Sequence, residues 1–271
     1  MTVAVGLDVG ATKLAAALVD VERGAVLAAR RRPTAPERGP AAVLADCRAA
    51  AAELAAGARV AAVGLAVCEL VGPAGEVRSA ETVDWRGIDL AAAFADIAPA
   101  RVESDVRAAA LAESRHGAAR DRPDFLYVSV GSGISHCLMV DGRPRLGVRG
   151  AAIGTGAPLV ERWSGGLALA RRTGHATAQA ALADPAAAAV VEDAARRFGA
   201  VLAALVNALD PGALVIGGGL GLHAGYRERV TAALRAAVYD PSARDLPVLP
   251  AALGQDSAAI GAACAAAGAA R

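Results

Sequence analysis

Aromatic residues are scarce in this chain, at 3% of 271 residues, and lysine is scarcer still: Lys13 is the only one, arginine supplying every other permanent positive side-chain charge. A core without rings must be assembled from Ala, Val and Leu, and the 55% hydrophobic fraction with 30 glycines points to small side chains packed closely. A surplus charge of one sign is missing too. The formal net charge of +1 gives no electrostatic footprint for nucleic acid or for an anionic membrane surface. Long apolar runs are broken by charges or Pro/Gly pairs, and no basic segment precedes an apolar stretch at the start. Neither a membrane span nor a signal peptide is expected, so the chain reads as soluble and cytoplasmic. Cysteine is sparse: Cys47, Cys68, Cys137 and Cys264 stand far apart without Cys-x-x-Cys spacing, as buried thiols do. His116, His136, His175 and His223 are equally isolated, each read as a surface or structural residue.

What the sequence does have is concentrated in short turns. Thr2 to Val9 and Lys13 to Val19 are apolar runs of strand length around Asp8-Val-Gly10-Ala11-Thr12-Lys13. A glycine lets phosphate approach backbone N–H groups, a threonine hydroxyl donates to phosphate oxygen, and an aspartate at a strand end can hold hydrated Mg²⁺. Lys13 suits a phosphate, or else opens the next strand as a solvated edge residue. The pattern recurs at Phe125 to Val130, Gly131-Ser132-Gly133 and Ile134 to Val140. A third glycine cluster, Gly217-Gly218-Gly219, ends the apolar run Ala213 to Ile216. An open α/β sheet binds its ligand at such a strand end, although glycines there can also serve close packing alone.

Between these turns the pattern predicts a third strand from Ala25 to Arg30, an Ala-rich helix from Ala41 to Ala56, a strand from Val60 to Val67 and a helix from Asp89 to Ile97. Ser104-Asp105 precedes the helical run Val106 to His116. Asp105 either caps that helix or projects from the strand-to-helix junction into a cleft, where a general base belongs. Gly147 to Pro158 is irregular. Asp184-Pro185 opens a long helix to about Leu209, and Leu253 to Asp256 precedes a terminal alanine helix.

The order of these segments resembles the repressor/ORF/kinase (ROK) family of the actin-like ATPase superfamily, which includes bacterial glucokinases. Asp8 to Lys13 is similar to its first phosphate motif, Gly131 to Ile134 to its second, and Asp210 to Gly219 to its adenosine-side strand and turn. Glu103-Ser104-Asp105 is similar to its Glu-Asn-Asp segment, whose aspartate is the catalytic base. The resemblance implies an α/β fold of two actin-like (ribonuclease H-like) lobes with a cleft between them. One lobe is expected over residues 1–117, joined by the helix 256–271, and the other over 118–255. It implies an ATP-dependent, Mg²⁺-assisted kinase with Asp105 as base and Asp8 holding the metal through water. The nucleotide would lie on Gly10 to Lys13, Gly131 to Gly133 and Gly217 to Gly219, and the protein would be a homodimer.

The acceptor side departs from the family pattern. Ser104 stands for Asn before the base, Thr82 for Asn ahead of the Trp loop, and Cys68-Glu69 for Pro-Gly. The family's Gly-Glu-Ile-Gly-His segment appears as Ile153-Gly154-Thr155-Gly156-Ala157, and its zinc loop is missing, so no zinc site is expected. Thr82, Ser104, Asp105, Gly154 and Thr155 are then the expected contacts of a polyol acceptor. An aminosugar or C7-cyclitol fits this set better than plain glucose. The alternative is an inactive ROK-type protein that binds nucleotide or sugar in a regulatory role.

Overall fold

The computed structural model describes residues 1–154 and 158–269. Thr155, one of the expected acceptor contacts, lies outside the described residues. The chain builds two five-stranded sheets of matching topology. The first holds β1 (Val3–Val9), β2 (Lys13–Asp20), β3 (Ala25–Pro33), β4 (Val63–Val67) and β5 (Ala100–Ser104) in the order β3-β2-β1-β4-β5. The second holds β6 (Phe125–Val130), β7 (Ile134–Val140), β8 (Arg143–Pro144), β9 (Leu214–Gly217) and β10 (Val248–Pro250) in the order β10-β9-β6-β7-β8. In each, an antiparallel meander of three strands is extended by two parallel strands. The antiparallel turns are short and rich in glycine, whereas each parallel crossover needs a longer excursion.

Eight helices complete the described fold: α1 (Pro40–Ala55), α2 (Asp105–His116), α3 (Pro158–Ser164), α4 (Gly166–Thr173), α5 (Ala178–Ala183), α6 (Ala188–Leu209), α7 (Ala224–Ala237) and α8 (Ser257–Ala269). Proline at the first turn starts α1, and Asp210 in a left-handed conformation followed by Pro211 ends α6. One face of the first sheet packs on α1 through Val5, Leu7, Val43, Cys47 and Leu65. Its other face takes α8 through Ala259, Ile260 and Ala263. Helix α2 then packs on the second sheet through Val106, Ala110, Phe125 and Tyr127, and the far face of that sheet is covered by α6 and α7.

The small-residue composition has its structural reason at α8. A Cβ on Gly6 would lie 1.8 Å from the Ala259 carbonyl oxygen, and one on Gly64 would lie 2.0 Å from that of Ala262. The helix therefore rests on the strand backbones themselves, a separation that only glycine permits in the sheet.

The chain departs from the sequence reading between β4 and β5. The expected helix over 89–97 is turns with one short 3₁₀ segment, Ala92–Phe94, because Leu90 and Phe94 are drawn into the core beside Trp85 and Ala98. The stretch from Glu76 to Asp84, which reads as a short strand and loop, holds a single isolated bridge, between Val71 and Val77.

Candidate active site

Strand register delivers the polar groups to one edge of the first sheet. Asp8 pairs with Ala66 and Val67 with Ser104, so the carboxyl ends of β1, β4 and β5 lie side by side. Asp8, Cys68-Glu69 and Ser104-Asp105 emerge there together. The turn from Gly10 to Thr12 closes through the Gly10 N–H donating to the Lys13 carbonyl at 3.0 Å. It is braced by buried Thr34, whose hydroxyl donates to the Gly10 carbonyl at 2.7 Å and whose N–H donates to that of Thr12 at 3.1 Å. Lys13 heads β2 and donates to Gln255 Oε1 at 3.1 Å, tying the turn to the segment before α8. That segment is held in turn by the buried carboxylate of Glu113, which accepts from Ala252 N, Leu253 N and the Ser257 hydroxyl.

Ser104 is the N-cap of α2 and makes no side-chain cap bond, whereas Asp105 is the first helical residue. Its Oδ1 accepts from the Val106 N–H at 2.7 Å at the head of α2, while the residue also lines the main cavity with Asp8. Burial lifts its carboxyl to about 6, opposed by the Val106 and Ser104 hydrogen bonds and aided by the nearby charge of Glu69. Asp8 is lifted further, to about 7, by burial first and by the Asp105 charge second, with Lys13 opposing. Two carboxylates with one lysine beside them leave the site short of positive charge.

The second sheet supplies the opposite wall. Gly131 N donates to the Gly133 carbonyl at 3.0 Å, and the junction of α3 and α4 sits on this turn, with Gly166 N donating to Gly131 O at 2.8 Å. Glu161 on α3 accepts from the Ile134 N–H at 2.8 Å. The third turn lies against the second: Gly218 has φ +78°, and a Cβ there would meet the Val130 carbonyl oxygen at 2.4 Å. Gly217 faces the Tyr127 hydroxyl rather than the cavity, so its lack of a side chain answers to packing.

The cavity measures ≈ 530 Å³, and Asp8, Thr12, Lys13, Asp105, Gly131, Ser132, Gly218 and Gly219 all line it. Gly10, Ala11, Gly133 and Gly217 flank these residues within the same turns. Thr177 and Gln179, which carry no sequence motif, also line it, together with Gln255 and Ser257 from the segment that opens the terminal helix. Of the residues expected on the acceptor side, Ser104 is fully buried with its hydroxyl 3.4 Å from Asp105 Oδ1. Thr82 Oγ1 lies 3.1 Å from Cys68 Sγ, and Gly154 bridges to Ser135 beside the second turn. Burial pushes the Cys68 thiol up to about 12, followed by the charge of Asp105, which keeps it neutral at that corner.

Two sheets of this topology, each ending in glycine turns at a shared cleft, define an actin-like ATPase fold. The chain belongs to the ROK family, whose model matches residues 4–165 and 160–268. It is similar to a ROK family glucokinase from Streptomyces griseus solved with glucose and AMPPNP, with 26% identity over 97% of this chain and 99% of that one and a TM-score of 0.85. A ROK hexokinase from Thermus thermophilus is 30% identical over 98% of both chains, with a TM-score of 0.80. The bifunctional enzyme NanE/NanK of Brucella suis is 35% identical over 184 residues, 60% of this chain. That match spans about a third of the relative's own length, 34%.

Proposed function

We propose that this chain is an ATP-dependent kinase that transfers the γ-phosphoryl group to a hydroxyl of a sugar-like acceptor. The observation that carries the reading is that Asp105 and Asp8 face one cavity with three glycine turns. A neutral hydroxyl is a poor nucleophile, and Asp105, with its affinity for a proton raised by burial, is suited to accept that proton. The turns Gly10 to Thr12 and Gly131 to Gly133 offer backbone N–H groups to the phosphates, and Lys13 adds a point charge. Gly218 and Gly219 leave room for adenine and ribose against backbone, and closure of the two lobes excludes water as a competing acceptor.

The charge deficit around Asp8 fits a hydrated Mg²⁺. Among the described residues no three His, Cys, Asp or Glu side chains converge on a metal position, so water and phosphate would complete the shell around an Asp8-held ion. Such an ion supplies charge neutralisation to the transferring phosphoryl group. The expected acceptor side, with Ser104 beside Asp105 and Thr82 against Cys68, departs from the family's sugar-binding pattern and favours an aminosugar or cyclitol over glucose. The second reading, an inactive nucleotide or sugar binder, has less support because Asp105 sits in the cavity with its proton affinity already raised.

Turnover should be measured with Mg·ATP against glucosamine, mannosamine, myo-inositol, a C7-cyclitol and glucose. Phosphorylation of at least one non-glucose acceptor is expected, with kcat/KM falling below pH about 6 and falling by about 10³ in Asp105→Asn. Unchanged ATP binding with no turnover on any acceptor would establish the inactive binder instead.

A further inference from the structure

Outside the cavity, just beyond the end of β4, Glu69 is 3% exposed and its carboxylate accepts four hydrogen bonds. Its Oε1 accepts from Thr82 N at 2.7 Å and Val83 N at 3.1 Å, and its Oε2 accepts from Glu81 N at 2.9 Å and from the Ser79 hydroxyl. The Ser79 hydroxyl accepts in turn from Leu70 N at 2.9 Å. Three consecutive backbone N–H groups converging on one point form an anion-binding concavity, and here the chain's own side chain fills it. The far end of the loop is anchored by Trp85, 2% exposed in the core. The near end carries Thr82 against Cys68, and the charge of Glu69 is felt at Asp105.

We propose that Glu69 is a positioning residue for the acceptor: by gathering the N–H groups of Glu81, Thr82 and Val83 it fixes the loop that holds Thr82 against Cys68, at the end of the strand paired with the one that leads into Asp105. The inference rests on the reading of that corner as the acceptor side. Phosphoryl transfer needs the attacking oxygen held in line, and a wall displaced by about 1 Å can cost about 10²-fold. Nothing in the network touches the glycine turns, so the nucleotide should not sense its loss. Glu69→Gln keeps the shape but turns an NH₂ toward at least one backbone N–H that needs an acceptor, which leaves that group unpaired and loosens the loop.

The test pairs steady-state kinetics with hydrogen exchange. The acceptor used is whichever of glucosamine, mannosamine, myo-inositol, a C7-cyclitol and glucose the unaltered chain phosphorylates fastest. In Glu69→Gln the KM for that acceptor is expected to rise about tenfold or more while the KM for ATP stays within about twofold, and the amides of residues 81–83 exchange faster. Ser79→Ala, which removes one donor and leaves three, should shift the acceptor KM in the same direction by about two- to threefold. It decides the matter should Glu69→Gln fail to fold. An unchanged acceptor KM in the folded variant, or parallel rises for acceptor and ATP, overturns the role of Glu69 and leaves the kinase reading intact. No turnover by the unaltered chain on any of the five acceptors overturns both.

Discussion

Two aspartates carry most of the site's electrostatic cost. Asp8 and Asp105 have folded-state values of about 7 and about 6, both above the 3.8 expected of an exposed aspartate. Between pH about 4 and about 7 the folded state therefore binds more protons than the unfolded chain, and stability falls as pH rises through that window. Neutral replacements remove the burden. Asp8→Asn and Asp105→Asn should each raise the Tm of the ligand-free protein at pH 7.5 by roughly 2–5 °C and change it little at pH 4. Equal shifts at both pH values, read by calorimetry, would show that the gain is not electrostatic. Both residues were legible in the sequence because a carboxylate at a strand end is a local signal. Thr34, Glu161 and Gln255 were not, since only long-range packing brings each to its turn.

At the scale of elements, periodicity identified the strands around each glycine turn and the long α6, where one local pattern decides the outcome. It failed over 89–97, where Leu90, Phe94 and Ile97 keep a helical spacing yet serve a compact loop that fills the core. Nor did it reveal why alanine and glycine dominate α8 and the strands beneath it. Close contact between that helix and the sheet explains this choice, and it separates two otherwise similar substitutions. Gly64→Ala drives a methyl group to 2.0 Å from the Ala262 carbonyl oxygen and should cost about 3 kcal/mol, a Tm loss of roughly 6–12 °C. Gly268→Ala, in the same helix's last turn, has its nearest neighbour at 3.7 Å and should gain up to about 0.5 kcal/mol. Chemical denaturation of the two variants distinguishes contact packing from a general intolerance of alanine.

Across the whole molecule, the two sheets meet through α2 and α8, and the cavity opens where both sheets present their turns. The chain's last segments are folded back onto its first: α8 rests on β1 and β4, and the Lys13 ammonium donates to Gln255 just ahead of it. No helix among the described residues is long and apolar enough to cross a membrane. Lys13 therefore has two tasks, offsetting the Asp8 charge and joining the first turn to the segment ahead of α8. A ligand present at about 100 times its Kd stabilises by about 2.7 kcal/mol, and a tenfold loss of affinity leaves about 1.4 kcal/mol. Lys13→Ala should accordingly cut the thermal stabilisation by Mg·AMPPNP to about half. Lys13→Arg should restore it only in part, because a planar guanidinium cannot replace a compact ammonium in a turn of this size. Stabilisation by Mg·AMPPNP that is identical in all three proteins would place Lys13 outside the phosphate grip and leave it a strand-edge residue.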